Sequence, residues 1–309
     1  IGCATPWNYR NKMEFSFGRS KDNEVMLGLH LPRMHHDVFD LEECYLPGER
    51  VAKVVKMVRD FAHKEDLKVF DDRTQDGLLR NLVIREGKNT NELMVNLVTS
   101  VNSFPEVERF KTLFEGSEWE ERITSLVWTT IMQQRGTPTW RESKTLSGQD
   151  VIYEELHLET GQTLRFEISP SAFFQPNTAQ AETLYAKVIE LAALTGEEVV
   201  YDLYCGTGTI GLFCAHKAQK VIGIEVSKAA VQNARENAIR NQITNAEFLV
   251  GDVAKVTRDQ ELPTPDVIIV DPPRAGLEGN FPAQVVELKA KKIVYVSCNP
   301  ATLTRDLKF

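Results

Sequence analysis

The pattern of apolar and polar positions changes near residue 178 of this 309-residue chain. Beyond that point, short apolar runs typical of buried strands alternate with segments whose apolar residues recur every three or four positions, as on one face of a helix. The predicted strands are 199–203, 220–225, 246–250, 265–270 and 292–296, and the predicted helices are 210–218, 228–241, 285–290 and one with Leu184, Val188, Leu191 and Ala192 on its apolar face. This alternation predicts βαβ units and an α/β domain with a parallel, doubly wound sheet.

The residues before 165 have a different pattern, which predicts a smaller α+β domain with much strand. Paired apolar runs around polar segments predict hairpins, and three-to-four spacing predicts helices. The predicted hairpins lie within 78–99 and 151–168, and the predicted helices are 51–61 and 107–114. We therefore predict two domains, a central α+β domain at 1–165 and a Rossmann-like domain at 166–309.

Length and composition are consistent with two ordinary globular domains. A chain of 309 residues is at the upper limit for one core, and 42% hydrophobic with 26% charged residues is a typical composition. There is no apolar run near the roughly 18 residues of a membrane helix and no signal peptide, which favours the cytoplasm and no membrane partner. Because the chain lacks an initiator Met and ends soon after a predicted strand, we expect a segment of a longer protein, trimmed at both ends.

The charge and the cysteines narrow the classes of function. The net charge of −8 counts against nucleic-acid binding by the chain as a whole, although it does not describe local patches. Five scattered cysteines without a CxxC pair predict neither a disulfide framework nor a zinc site, and they favour a reducing compartment. His35-His36 beside Asp37 is interpreted as a polar turn rather than a metal site.

A glycine-rich loop follows the first strand of the second domain. Gly206, Gly208 and Gly211 match G-x-G-x-x-G between a predicted strand and a predicted helix, where glycines allow a tight turn and close approach of the backbone to a ligand. Glu225 ends the next strand, where a carboxylate can accept hydrogen bonds from both ribose hydroxyls. This arrangement fits an adenosine-containing cofactor, either NAD or S-adenosylmethionine.

Two further carboxylates favour S-adenosylmethionine over NAD. Asp202 lies in the strand just before the glycines, where it can pair with a cationic ammonium or sulfonium group but would repel a pyrophosphate. Asp252 follows the third strand, where it can contact the amino group of an adenine.

Two motifs at later strand ends carry candidate reaction chemistry. Asp271-Pro272-Pro273-Arg274 ends the fourth strand and Ser297-Cys298-Asn299-Pro300 the fifth, at the sheet edge where doubly wound proteins bind ligands. A lone cysteine is usually a small core residue. We interpret Cys298 as a nucleophile because it shares this rim with Asp271, Arg274, Asn299 and the downstream pair Arg305-Asp306.

Four motifs together resemble the RNA (uracil-5-)-methyltransferase family, which includes tRNA and 23S rRNA enzymes. The motifs are Phe174-Gln175-Pro176-Asn177, the segment from Asp202 to Thr209, Asp271-Pro272-Pro273-Arg274, and the segment from Val296 to Leu303. The resemblance is dense over 165–309 and weaker upstream, where Trp7 to Lys12, Cys44 and Gly77 to Asn81 look like the central domain that helps to hold RNA in this family.

The resemblance implies a class I methyltransferase that uses S-adenosylmethionine and acts on carbon 5 of a uridine in RNA. It implies that Cys298 attacks carbon 6 of the base, that Arg274 orients the base or stabilises its enolate, and that a glutamate beyond Phe309 removes the carbon 5 proton. The cofactor-binding residues it implies are Gln175, Asp202, Tyr204, Gly206, Gly208, Thr209, Glu225, Asp252 and Asp271. Thr209 stands where relatives commonly carry Asn.

Cys44 affects the expected substrate. Its segment resembles the one that supplies the fourth ligand of a [4Fe-4S] cluster in rRNA-type relatives, whose three other cysteines would precede Ile1. We therefore favour 23S rRNA over tRNA. Separately, we expect a monomer, although the sequence does not determine the oligomeric state. The alternatives are methylation of an amino nitrogen of a base, a non-catalytic RNA-binding module and an NAD-dependent oxidoreductase.

Overall fold

The computed structural model describes residues 2–100, 103–115, 123–132 and 139–308, except the side chains of His35 and His36. The chain forms two compact units. The N-terminal unit comprises Ile1–Glu154, Ile168–Ser171 and Pro176–Thr178, and the C-terminal unit comprises Glu155–Glu167, Ala172–Gln175 and Ala179–Phe309. Because the chain passes between the units several times over 155–178, no single cut at 165 separates them. The predicted domain boundary stays a prediction.

The N-terminal unit is built on a mixed sheet with helices packed against it. In chain order its elements are β1 (Lys12–Arg19), β2 (Val25–Leu31), β3 (Met34–Asp40), α1 (Glu49–Lys64), β4 (Leu79–Glu86), β5 (Leu93–Thr99), α2 (Val107–Thr112), β6 (Ser125–Met132) and β7 (Trp140–Gly148). The strand order is β3-β2-β1-β4-β5-β6-β7. Neighbours run antiparallel except β5 and β6, which are parallel.

The apolar face of α1 explains why this helix forms and where the N-terminal core lies. Val51, Val54, Val55, Val58 and Phe61 are buried, at the three-to-four spacing of one helix face. They share a core with the inward side chains of β1, β2, β4 and β5. The predicted helix at 51–61 and the predicted hairpin of β4 and β5 are therefore confirmed.

The C-terminal unit contains a five-stranded parallel sheet. After β8 (Ile152–His157) and β9 (Thr163–Ile168), which pair with each other, come α3 (Thr178–Ala192), β10 (Val199–Leu203), α4 (Thr209–Ala215), β11 (Lys220–Glu225), α5 (Lys228–Arg240), β12 (Ala246–Val250), α6 (Val253–Asp259), β13 (Val267–Val270), α7 (Phe281–Glu287), β14 (Lys292–Tyr295) and α8 (Pro300–Asp306). The strand order is β12-β11-β10-β13-β14, with every pair parallel. This confirms the predicted doubly wound sheet and puts its topological switch point between β10 and β13.

Several sequence-based details were wrong. The backbone of His35-His36 lies within β3, the strand that pairs with β2, and not in a turn. On α3 the buried face contains Tyr185 and Val188, whereas Leu191 is 52% exposed. The helix predicted at 285–290 begins earlier, at Phe281. The helices α6 and α8 were missed.

Candidate functional site

The glycine loop between β10 and α4 forms one wall of a pocket in the C-terminal unit. Tyr204, Gly206 and Gly208 have positive φ angles of 65°, 54° and 81°, so the chain turns sharply here. Apart from Gly206 itself and its two chain neighbours, no described residue has an atom within 4 Å of the place where a Cβ on Gly206 would stand, whereas a Cβ on Gly208 would meet Phe248 at 2.8 Å. Gly206 therefore leaves space for a ligand, and Gly208 allows close packing.

Asp202 lies beneath this loop and is fully buried. Its Oδ2 accepts a hydrogen bond of 2.8 Å from the amide of Gly211, while its Oδ1 has no partner among the residues that the structure describes. Burial raises the pKa of Asp202 to about 7; the Gly211 hydrogen bond lowers it, and the charges of Asp271 and Glu225 raise it. A buried carboxylate oxygen beside a pocket favours a cationic ligand group.

The opposite wall of the pocket comes from β13, from α3 and from the segment before α3. Burial raises the pKa of Asp271, at the end of β13, to about 6. The Tyr185 hydroxyl lies 3.3 Å from that of Thr209. The full lining is Phe173, Phe174, Gln175, Tyr185, Asp202, Tyr204, Cys205, Gly206, Thr207, Thr209, Ile210 and Asp271. The predicted site residues Gln175, Tyr204 and Thr209 are thus brought together with both carboxylates.

Glu225 and Asp252 lie at the ends of the next two strands, as the sequence predicts. The carboxylate of Glu225 accepts hydrogen bonds from the amides of Gly206 at 3.3 Å and Ser227 at 2.9 Å, which fix it beside the glycine loop. Asp252 is the N-cap of α6, and its side chain accepts a 3.0 Å hydrogen bond from the amide of Lys255. Each carboxylate is therefore oriented by backbone donors at the edge of the sheet where the parallel strands end.

The sequence did not predict two residues that line this pocket, Phe173 and Tyr185, or Asn237, which is hydrogen-bonded to the glycine loop. Phe173 is 68% exposed at its rim, and Tyr185 contributes its buried ring from α3. Asn237 of α5 is fully buried: its amide donates to the carbonyl of Thr207 and accepts from the amide of Glu167. The three-residue spacing of Tyr185 and Val188 could have indicated that both lie on the buried face of α3. Nothing in the sequence distinguishes Asn237 from a surface residue.

The segments that carry Arg274 and Cys298 meet at the same edge of the sheet. Cys298 is exposed just after β14. The next residue, Asn299, caps α8 by accepting from the amide of Ala301, and its Nδ2 donates a 3.3 Å hydrogen bond to the carbonyl of Arg274. An accessible thiol therefore lies in a segment that is hydrogen-bonded to the loop bearing an arginine.

The other cysteines have different surroundings. Burial raises the pKa of the Cys205 and Cys214 thiols, which makes them poor nucleophiles. Cys44 is half-buried and packs against the N-terminal core. Within the described residues, no three His, Cys, Asp or Glu side chains come together as a metal-binding group. No helix in the described ranges is both long and apolar enough to cross a membrane.

Known proteins are similar to this chain in sequence and in fold. An uncharacterized RNA methyltransferase of Protochlamydia amoebophila is 40% identical over 324 residues, covering 98% of this chain and 72% of the relative. One of Oceanobacillus iheyensis is 37% identical over 311 residues, covering 100% of this chain and 66% of the relative. In a further relative, from Clostridium tetani, the match covers 65% of the protein, so this chain spans about two thirds of the length of such relatives.

A solved structure extends the similarity to three dimensions. The crystal structure of Pyrococcus abyssi tRNA (uracil-54, C5)-methyltransferase in complex with S-adenosyl-L-homocysteine matches 99% of this chain and 70% of its own, with 30% identity and a TM-score of 0.78. The predicted Rossmann-like fold of S-adenosylmethionine-dependent methyltransferases is therefore confirmed. The profile of the family described as tRNA (Uracil-5-)-methyltransferase matches residues 118–309. This chain belongs to the tRNA (uracil-5-)-methyltransferase family.

Proposed function

We propose that the protein transfers a methyl group from S-adenosylmethionine to carbon 5 of a uridine in RNA, with Cys298 bonded transiently to carbon 6. One observation carries the proposal: Asn299, the neighbour of an exposed Cys298, is hydrogen-bonded to the Arg274 loop at the sheet edge where the cofactor pocket also lies. Methylation of an amino nitrogen, the alternative reaction, has no use for such a thiol.

The residues of the pocket fit S-adenosylmethionine. The buried Oδ1 of Asp202, which has no partner among the described residues, suits a cationic group, and the open space beside Gly206 suits close approach of a ligand to the backbone. Glu225 would accept from the ribose hydroxyls, and Asp252 would contact the adenine amino group. Bound there, the cofactor supplies an electrophilic methyl group.

The chemistry assigned to this chain's residues begins with a thiolate. Carbon 5 of uracil is a poor nucleophile, so the sulfur of Cys298 adds to carbon 6 and the electron pair of the 5,6 double bond moves into an enolate. Carbon 5 of that enolate can accept the methyl group. Loss of the carbon 5 proton to a base then restores the double bond as the sulfur–carbon bond breaks. We assign to the Arg274 guanidinium the role of stabilising the enolate oxygen.

An RNA partner is supported by a cationic cluster on the N-terminal unit, formed by Arg10, Lys12, Arg85 and Arg141. Lys12 and Arg85 are directly opposed in the pairing of β1 with β4. The pKa of Lys12 is lowered, first by burial and then by the positive charges of Arg85, Arg10 and Arg141. The carboxylate of Glu14, 4.0 Å from the Lys12 ammonium, raises it in part. Like charges opposed across strands destabilise a sheet, so an RNA phosphate bound at the partly exposed Lys12 would be stabilising.

The class of RNA rests on the segment around Cys44, which favours 23S rRNA over tRNA. The described residues do not by themselves form a [4Fe-4S] site, because Cys44 belongs to no metal-binding group among them. A cluster would need cysteines outside this sequence, and iron analysis of anaerobically purified full-length protein tests for it. An RNA substrate and five cysteines without disulfides fit the cytoplasm.

The proposed function is tested by methylation of RNA from a strain that lacks the gene. Full-length protein, labelled S-adenosylmethionine and either tRNA or 23S rRNA should give label at carbon 5 of one uridine, mapped by nuclease digestion and mass spectrometry. Label on an exocyclic nitrogen would overturn the proposal. Label in tRNA alone would overturn the preference for 23S rRNA.

A further inference from the structure

The loop that carries Arg274 is held by residues of the segment that follows Cys298. Besides the contact from Asn299, the Arg305 Nη2 donates to the carbonyls of Ala275 at 2.9 Å and Leu277 at 3.0 Å. The amide of Leu277 donates in turn to the Oδ2 of Asp306 at 2.8 Å. Four hydrogen bonds thus join backbone groups of 274–277 to side chains of 299–306.

Asp306 is the centre of this arrangement. Its side chain is only 1% exposed, and its Oδ2 also accepts a 2.7 Å hydrogen bond from the hydroxyl of Tyr295 on β14. Its Oδ1 accepts from the Nε of Arg305 at 2.8 Å. Burial disfavours the charge of Asp306, but the donors from Leu277, Tyr295 and Arg305 outweigh it, and the pKa is lowered. A buried, ionised carboxylate with these donors is a rigid anchor.

Gly276 shows how closely the loop passes over α8. Its φ is +79°, and a Cβ there would stand 2.6 Å from both the Arg305 Nη2 and the Asp306 Oδ2. The loop can therefore take this path only with a glycine at its closest point.

We propose that Asp306 and Arg305 are positioning residues that fix the Arg274 loop against the segment bearing Cys298, so that guanidinium and thiol meet the same uracil ring. The inference rests on the proposed function, since it assigns both groups to one base. Neither residue is placed in contact with substrate. They act by holding the Arg274 guanidinium and the Cys298 thiol, the two groups assigned to the base, in position. A misplacement of such a group by about 1 Å can slow a reaction on the order of 100-fold.

Two variants separate this role from a general effect on folding. Arg305→Gln changes a side chain that is 53% exposed, so the fold should tolerate it. Asp306→Asn keeps a carbonyl oxygen for Leu277 and Tyr295 but turns an NH2 group toward the donors of Arg305, which removes the ion pair. Thr304→Ala is the matched control on α8, because its exposed hydroxyl bonds only within the helix, to the carbonyl of Pro300.

The experiment uses the full-length protein and RNA that contains 5-fluorouridine, in which fluorine blocks the final elimination and leaves a covalent adduct. We expect both variants to form the adduct at least about 10-fold more slowly than the wild type, with the dissociation constant for S-adenosylmethionine changed less than about 2-fold. The Thr304→Ala protein should match the wild type. Equal adduct rates in wild type and Asp306→Asn would overturn the positioning role.

Hydrogen exchange distinguishes failure of this inference from failure of the proposed function. The peptide over 272–278 should exchange faster in Asp306→Asn than in the wild type, while peptides from β10 and β11 stay unchanged. Unchanged exchange at 272–278 would show that Asp306 does not hold the Arg274 loop in place. A wild-type protein that forms neither adduct nor methylated RNA would overturn the proposed function, and the exchange result would still decide whether Asp306 holds the loop.

Discussion

At the scale of single residues, the pocket is defined by two carboxylates whose burial the sequence does not reveal. The place of Asp202 before the glycines could be predicted, since it follows from the strand pattern. Its complete burial and the absence of a partner for Oδ1 among the described residues depend on α4 covering it, with Gly211 at the contact. Asp271 and Tyr185 complete a polar pocket whose members are far apart in sequence.

From the raised pKa values of Asp202, about 7, and Asp271, about 6, we expect cofactor binding to depend on pH. A cationic ligand pairs with the ionised carboxylates, so affinity for S-adenosylmethionine should increase from about pH 6 to about pH 8 and then level off. Calorimetry at several pH values measures this, and near neutral pH binding should release protons to the buffer. In the Asp202→Asn protein the affinity for S-adenosylmethionine should change much less with pH. Equal wild-type affinity across this range would contradict the pairing.

The same two pKa shifts determine how the stability of the ligand-free protein should change with pH. A folded-state pKa above the ordinary value means that the folded protein binds more protons than the unfolded chain between about pH 4 and about pH 7. The free energy of unfolding contributed by Asp202 and Asp271 should therefore decrease as pH rises through this window. Urea midpoints of the wild type and Asp202→Asn test it, and a difference between the two proteins that does not vary with pH would contradict it.

Glu225 provides a test of the ribose contact. Glu225→Ala should weaken S-adenosylmethionine binding by about 1–3 kcal/mol, the cost of leaving buried polar groups unpaired. Because this carboxylate also accepts from Gly206 and Ser227, Glu225→Gln is the matched variant that keeps one acceptor oxygen and should lose less. Unchanged cofactor affinity in a folded Glu225→Ala protein would remove this residue from the site.

At the scale of elements, the sequence predicts strands and long helices better than short helices. The parallel strands were predicted to within two residues at each end because they are short apolar runs. The runs of the central strands β10, β11 and β13 are buried on both faces. The helices α6 and α8, seven residues each, were missed because they have little apolar pattern: α6 buries Val253 and Val256, and the buried residue of α8 is Asp306. The helix α4, of the same length, was predicted, and six of its residues are buried. Their N-caps, Asp252 and Asn299, were assigned only to chemistry, although Pro300 after Asn299 is a helix-start pattern.

The helix α5 stabilises the glycine loop through Asn237, and this can be measured. Asn237→Ala removes the partners of the Thr207 carbonyl and the Glu167 amide, so it should lower the free energy of unfolding by about 1–3 kcal/mol and weaken cofactor binding. Gln232→Ala, at an exposed position of the same helix, is the control and should change the free energy of unfolding by less than about 0.5 kcal/mol. Equal urea midpoints for the two variants would exclude the role assigned to Asn237.

At the scale of the whole molecule, the overall acidity conceals a local cationic cluster. The net charge of −8 argues against RNA when it is taken alone. Sequence could not reveal the cluster, because Lys12 and Arg85 come together only through the pairing of β1 with β4. The doubly wound sheet, by contrast, could be predicted, since each βαβ unit is local in sequence.

RNA binding should depend on salt through this cluster. Lys12→Gln, at a side chain that is 35% exposed, should weaken binding of substrate RNA. It should also reduce the slope of log affinity against log salt by about 0.7–0.9, because one fewer phosphate is neutralised. Lys56→Gln on α1 is the control, since Lys56 is already paired with Asp60 at 2.7 Å. Filter binding over a salt series measures both slopes, and identical slopes in the two variants would contradict an RNA contact by Lys12.

Attack of Cys298 on carbon 6 of a uracil can be observed by trapping the covalent adduct. Full-length protein, S-adenosylmethionine and RNA with 5-fluorouridine at the target position should give a species that survives denaturation, carries the transferred methyl group and maps to a peptide containing Cys298. Cys298→Ser should abolish both the adduct and turnover while cofactor binding stays nearly unchanged, since an alcohol is almost never ionised near neutral pH. A Cys298→Ser enzyme that methylates RNA at the wild-type rate would contradict the account.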